Sequence, residues 1–263
     1  MNILITGSTQ GIGFAFAREF LSKGHNVVIS SRNLDKVNNV LEEFKKDFPN
    51  NTIIGTICDV TKPSDIRKLA QLAISKFGTI DIWVNNAGTS GFEYQPLQEW
   101  NDKVLKQIIE TNMLGTIYGS KEAIKIMLEQ GHGKIFNMTG MGANGMASPN
   151  LAAYGASKSS IPQLTKSLVK ELKGTGIIIN HMSPGIVFTD LTITNTPPDA
   201  AFIFNTLGTP PEKVAKFLVR KMLAVNKNNS RINYMGTMKV FWRFMTAGFR
   251  KGKYFDSEGN YIG

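Results

Sequence analysis

The chain has 263 residues, 42% of them apolar, with 30 Lys and Arg against 20 Asp and Glu. That length can bury one large core, so a single domain over residues 1–263 is expected, and the lone cysteine excludes an internal disulfide framework. No run approaches the roughly 18 apolar residues of a spanning helix, and the leading run Ile3–Ile5 breaks at Thr6-Gly7 before a secretory leader could form, so a cytoplasmic, reducing setting is expected.

Short apolar runs then alternate with helical patterns along the chain. Ile3-Leu4-Ile5 reads as a strand, Ile12 to Leu21 as a helix, Val27-Val28-Ile29 as a strand, Leu34 to Phe44 as a helix and Ile53-Ile54 as a strand. The pattern continues with a helix from Pro63 through Phe77, a strand at Ile80 to Val84, a long helical stretch near Trp100 to Glu129 and a strand at Lys134 to Met138. A helix from Ala152 to Leu172, a strand at Gly176 to Asn180 and a helix opening at Thr209-Pro210-Pro211 follow, proline suiting a first turn. This rhythm predicts an α/β fold: one doubly wound parallel sheet of the Rossmann type with helices on both faces. From Leu191 to Leu207 the pattern lapses into a Thr/Pro/Asn-rich loop, and beyond Arg231 it places no further strand.

Immediately after the first strand stands Thr6-Gly7-Ser8-Thr9-Gln10-Gly11-Ile12-Gly13, with the helical pattern starting inside it. Glycines there let the backbone turn tightly and approach a pyrophosphate, whose charge rests on the free N–H groups of the helix end. The second strand ends in Ser30-Ser31-Arg32 with no carboxylate. An acidic residue at that point would bind a ribose 2′-OH and repel a 2′-phosphate, so Arg32 with Ser31 favours NADP(H); the alternative is an ordinary solvated arginine. Further on, Tyr154 and Lys158 lie four residues apart, hence on one helix face. An ammonium beside a phenol is expected to lower the tyrosine pKa and bring a proton donor toward working pH.

These motifs resemble the short-chain dehydrogenase/reductase family, in order, over about residues 1–190. The resemblance implies that Gly7 through Gly13 cradle the dinucleotide, that Asp59 and Val60 meet the adenine, and that Asn86, Ala87 and Gly88 of Asn85-Asn86-Ala87-Gly88 support sheet and cofactor. It also implies that Pro184, Gly185, Val187 and Thr189 meet the nicotinamide carboxamide. Tyr154 becomes the general acid/base, Lys158 also holds the nicotinamide ribose, and Asn112 joins a water-linked proton relay. The family's catalytic serine is missing: after the fifth strand stand Thr139 and Gly140. Thr139 is the candidate hydroxyl, with Asn144 and Ser148 as alternatives, since losing one oriented donor costs about 10²–10³ in rate.

Gly140, Gly142 and Gly145 remove side chains where a carbonyl would enter, and Met138, Met141 and Met146 offer adaptable apolar surface or plain core filling. Lys134 to Ala143, Ser183 to Leu191, Phe202 to Leu207, Glu212 to Ala215 and Gly248 to Tyr254 resemble the chlorophyll b reductases within that family. That likeness implies NADPH-dependent reduction of a 7-formyl group on a large apolar macrocycle; a generic ketone, steroid or sugar reductase and a non-catalytic NADP(H)-binding protein are the alternatives. The family also implies a homo-oligomer.

Charge is uneven, with 19 Lys and Arg against 16 Asp and Glu in residues 1–190 but 11 against 4 in 191–263. No nucleic-acid motif accompanies the excess, so no nucleic-acid partner is expected. Residues 191–255 are expected to form a substrate loop and a basic, aromatic segment. Its aromatics suit an interfacial segment on an anionic membrane, a cover for the substrate pocket or a contact between subunits. His25, His132 and His181 are isolated, so no metal is expected.

Overall fold

In the computed structural model, which describes residues 1–193, 200–228, 230–256, 258 and 260–262, strand β1 (Asn2–Ile5) lies in the middle of a parallel sheet. Its apolar run is continuous because both faces are covered: Ile3 and Ile5 join one core, Leu4 the other. Around it pair β2 (Asn26–Ser31), β3 (Ile53–Ile57), β4 (Ile82–Asn85), β5 (Gly133–Met138), β6 (Ile177–Ser183) and β7 (Arg231–Asn233). The order among the described residues is β3-β2-β1-β4-β5-β6-β7, every pairing parallel.

One face is covered by α1 (Gly11–Leu21), α2 (Leu34–Asp47) and α9 (Pro211–Ala224). The other is covered by α3 (Pro63–Phe77), α5 (Gly115–Gln130) and α6 (Ala152–Glu171). The predicted three-layer architecture is thus the observed one. Local chemistry sets several ends: Asn33 caps α2 by accepting from Lys36 N at 2.9 Å, Pro63 opens α3, and Gly131 at φ +77° closes α5.

The long helical stretch expected near Trp100 to Glu129 is present as α4 (Asp102–Ile109), a π turn over Glu110–Leu114 and then α5. Two regions differ from the sequence reading. The expected loop contains α7 (Asp190–Ile193) and α8 (Ala201–Leu207), while its residues 194–199 lie outside the described residues. Beyond Arg231 the chain does form a strand, β7, then α10 (Thr237–Met245) and a short 3₁₀ turn, Ala247–Arg250. With three residues and one buried side chain, Ile232, β7 has too little pattern to be read.

Behind the C-terminal ends of the central strands lies a buried polar clamp. Asn85 Nδ2 donates to Asn137 Oδ1 at 2.8 Å and to Ser120 Oγ at 3.1 Å, and Trp83 Nε1 donates to Asn85 Oδ1 at 2.8 Å. Fully paired, these groups fix β4, β5 and α5 to one another at the rim where a doubly wound sheet carries its site.

Candidate active site

The turn between β1 and α1 is built by close approach. Gly7 and Gly11 adopt φ +62° and +56°, and a Cβ on Gly13 would lie 2.2 Å from Gly7 O and 2.4 Å from Asn86 Nδ2. Only glycine fits that contact. No side chain caps α1: Gln10 is extended and its Oε1 instead accepts from Lys36 Nζ at 2.7 Å. The first-turn N–H groups therefore remain available to an anion, as a pyrophosphate cradle requires. Ser8 is turned inward, donating to Ile5 O at 2.8 Å and accepting from Ser30 N at 2.9 Å, so its side chain braces β1 against β2. Thr9 and Ile12 are half-buried and Gln10 exposed on the open side.

The neighbouring loops converge on this turn. Thr6 Oγ1 accepts from both Asn86 N (3.0 Å) and Ala87 N (3.1 Å), while Asn86 Nδ2 donates to Thr6 O and Gly7 O. Asn86 Oδ1 is buried without a hydrogen-bond partner. Asp59 uses Oδ1 to accept from Thr61 N and Oγ1, and no hydrogen bond to its Oδ2 occurs among the described residues. Val60 is buried against Gly115. Ser31 is half-buried at the end of β2, and Arg32 beside it is exposed and makes no ion pair among the described residues. On the far side Gly185 (φ +75°) packs on Met235, Val187 is buried, and Thr189 reaches back so that a Cβ on Gly11 would lie 3.1 Å from its Cγ2. Of Pro184, Gly185, Val187 and Thr189, it is Thr189 that meets the glycine turn, at Gly11.

Tyr154 and Lys158 share one face of α6, as their spacing predicts. Lys158 is buried, its Nζ 3.4 Å from Met138 O, and burial pulls its pKa down to about 8. Tyr154 does not follow the expected lowering. Its phenol is pushed up to about 12 by burial and by the adjacent Tyr94 phenol, within a cluster of Trp100, Ile108 and Leu151. A tyrosine in that state keeps its proton at neutral pH and is a donor.

Asn112 lies in the π turn, fully buried. Its Nδ2 donates to Thr89 O and Ser157 Oγ, both at 2.9 Å, and its Oδ1 accepts from Thr89 N. It ties the loop after β4 to α6 one residue before Lys158. A Cβ on exposed Gly88 would lie 3.1 Å from Asn112 Oδ1 and 3.2 Å from Lys158 Nζ, so these groups face one small volume.

At the missing serine the arrangement is unusual. A Cβ on Gly140 would lie 2.3 Å from Tyr154 Oη, so the hydroxyl rests directly against a bare Cα. Thr139 is not a substitute donor: it is buried and its Oγ1 donates to Met182 O at 2.9 Å, facing β6. Asn144 is exposed and accepts from Met146 N. Ser148 Oγ is buried and finds no hydrogen-bond partner among the described residues, and a Cβ on Gly155 would lie 2.6 Å from it. Of the three methionines, Met138 is core, whereas Met141 and Met146 are exposed on the loop before α6.

Sequence reasoning gives no role to Tyr94, Thr6, Ser157 and Lys36. Thr6 heads the glycine motif and Lys36 is a second cation just after Arg32, whereas the contacts of Tyr94 and Ser157 arise only on folding. Among the described residues no three His, Cys, Asp or Glu side chains gather into a metal-sized cluster, and no helix is long and apolar enough to cross a membrane.

The family model described as short chain dehydrogenase matches residues 1–199, the span that holds the glycine turn and the Tyr154–Lys158 pair. This chain belongs to the short-chain dehydrogenases. As one of them it is an oxidoreductase that acts on a small molecule with a nicotinamide dinucleotide. It is similar to "Chlorophyll(ide) b reductase NOL, chloroplastic" of Oryza sativa subsp. japonica, 40% identical over 265 residues that cover 96% of this chain and 77% of the relative. The protein of the same name from Arabidopsis thaliana is also 40% identical, over 98% of this chain and 77% of the relative. Among solved short-chain dehydrogenases, 3-ketoacyl-(acyl-carrier-protein) reductase from Brucella melitensis, complexed with NADH, superposes at TM-score 0.77. It is 26% identical, covering 89% of this chain and 96% of that one.

Proposed function

We propose that this short-chain dehydrogenase is an NADPH-dependent reductase of the 7-formyl group of chlorophyll b or chlorophyllide b, yielding the 7-hydroxymethyl product. The observation that carries the reading is Tyr154 Oη resting against the bare Gly140. The phenol takes up the room of the missing serine and stands as the acid at the carbonyl, and a formyl carbon is intrinsically easier to reduce than a ketone, which offsets the absent serine donor. The likeness to the two plant reductases runs the same way.

The roles assigned under this reading are these. Gly7, Ser8, Thr9, Gln10, Gly11, Ile12 and Gly13 form the pyrophosphate cradle; Ser31 and Arg32, with Lys36 close by on Gln10, receive the 2′-phosphate. Asp59 and Val60 border the adenine, Asn86, Ala87 and Gly88 floor the site, and Pro184, Gly185, Val187 and Thr189 meet the carboxamide. The bound nicotinamide supplies the hydride. Tyr154 donates the proton to the carbonyl oxygen, Lys158 holds the ribose and draws charge from the phenol as it ionises, and Asn112 positions Lys158 through Ser157 and Thr89.

The deciding measurement is NADPH consumption with chlorophyllide b, followed by chromatography of the pigment. Formation of the 7-hydroxymethyl product that is lost in Tyr154→Phe is the expected result; turnover confined to simple ketones would sink the reading. That second outcome has one observation in its favour, the unpartnered Ser148 hydroxyl beside Gly155. Turned toward Tyr154, it would replace the missing donor, and Ser148→Ala would then abolish ketone turnover.

A further inference from the structure

The C-terminal helix α10 is amphipathic the wrong way round. Met238, Phe241, Trp242 and Met245 stand at i, i+3, i+4 and i+7, the stripe a globular protein turns to its core. Here they are 70%, 57%, 62% and 67% exposed, and no residue of α10 is buried. Phe249, in the following 3₁₀ turn, is 93% exposed, and Phe202 of α8 extends the surface, its ring 6.4 Å from that of Phe244. The helix is nevertheless pinned in place: Arg243, on its inner side, donates to Leu207 O at 2.7 Å, Gly208 O at 3.0 Å and Thr209 Oγ1 at 2.8 Å. A contiguous apolar face held outward by partly buried hydrogen bonds marks an interaction surface.

Its charge selects the occupant. Between Glu212 and Asp256 the chain holds eleven Lys and Arg and no Asp or Glu, and exposed Lys251 and Lys253 border the patch. A twofold contact between copies would set this basic surface against itself, at a repulsive cost. An anionic lipid surface satisfies both properties, taking the aromatics into the acyl boundary and the cations at the headgroups. We infer that α10 and the Ala247–Arg250 turn dock the protein peripherally on anionic bilayers. Thr209, the residue Arg243 holds, forms a bridge with Val187 of the segment at the candidate active site. Docking therefore sets the mouth of the site at the lipid surface, where an apolar substrate would be dissolved.

The inference rests on the patch and not on the pigment, so it is tested with pigment-free vesicles. The full-length protein is sedimented with phosphatidylcholine vesicles with and without phosphatidylglycerol. Co-sedimentation with the anionic vesicles alone is expected, weakened about 30-fold by Lys251→Ala with Lys253→Ala and lost in Trp242→Ser with Phe249→Ser. Both double variants should retain NADPH binding, which checks their folding. Absent or equal binding to the two vesicle types overturns the inference. So does a Trp242→Ser, Phe249→Ser protein that still binds vesicles but sediments at lower mass in analytical ultracentrifugation, since the face would then join copies of the chain.

Discussion

One added carbon at position 140 would be felt at once, because Tyr154 Oη occupies the space it needs, with Lys158 Cγ 3.3 Å from it on the other side. In Gly140→Ser the phenol must move off its present line. The expected outcome is a drop of at least about tenfold in kcat with NADPH affinity and Tm almost unchanged, measured by steady-state kinetics and cofactor titration; a faster enzyme would show that Tyr154 is misread. Tyr154→Phe removes the proton donor and should lower turnover by roughly 10²–10⁴ while cofactor binding persists. Four-residue spacing made the Tyr154–Lys158 pair legible in the sequence. Its protonation was not, because burial and Tyr94 push the phenol up, and Tyr94 reaches the site only through packing. The same holds for Thr139, whose hydroxyl is spent on Met182 O of β6, a long-range contact that its place in the sequence does not reveal.

At the level of elements, the βαβ rhythm was readable because strands covered on both faces carry unbroken apolar runs and their helices a 3.6-residue stripe. The π turn was not, since Thr111 and Asn112 fit a helical pattern and only the bonds of Asn112 to Thr89 and Ser157 give the bulge a purpose. The glycine turn provides the sharpest test. In Gly13→Ala the new carbon meets backbone and Asn86, neither of which can retreat, so stability should fall by about 1–3 kcal/mol, with Tm down roughly 3–10 °C in differential scanning calorimetry and weaker NADPH binding. Gly236→Ala, which meets nothing within 4 Å at an ordinary φ of −68°, should be within about 0.5 kcal/mol of the parent and serves as the control.

For the whole molecule, two buried bases act in the same direction. His181 has its pKa lowered from 6.5 by burial and by Arg231 and Lys166, with Nδ1 unpartnered. The unfolded chain therefore binds a proton that the native state refuses, and stability falls as pH drops below about 6.5. Lys158, at about 8 against an ordinary 10.5, repeats this higher up: above about 8 the unfolded chain stays protonated and the native protein does not, so stability rises with pH until about 9, where the Cys58 thiol, pushed up by burial from 9 to about 12, begins to act in the opposite direction. Without cofactor, Tm should climb from acid to mildly alkaline pH. Lys158→Met should flatten the upper part of the climb and raise Tm at neutral pH even as activity disappears, because a buried charge is replaced by an apolar side chain of similar length. A steeper alkaline slope in the variant would contradict this. The uneven charge of the C-terminal quarter was plain in the sequence, but which way α10 turns its aromatics was not, since a stripe at helical spacing ordinarily faces a core.

The central strand also dictates an order of assembly. β1 takes β2 on one edge, with Ile3 opposite Val27, but on its other edge it waits for β4, with Ile3 opposite Ile82. A ribosome must therefore release more than eighty residues before the first strand is closed on both sides. Until then a nascent chain displays an apolar, unpaired edge beside the nucleotide cradle, a site for misassembly throughout the first third of its synthesis.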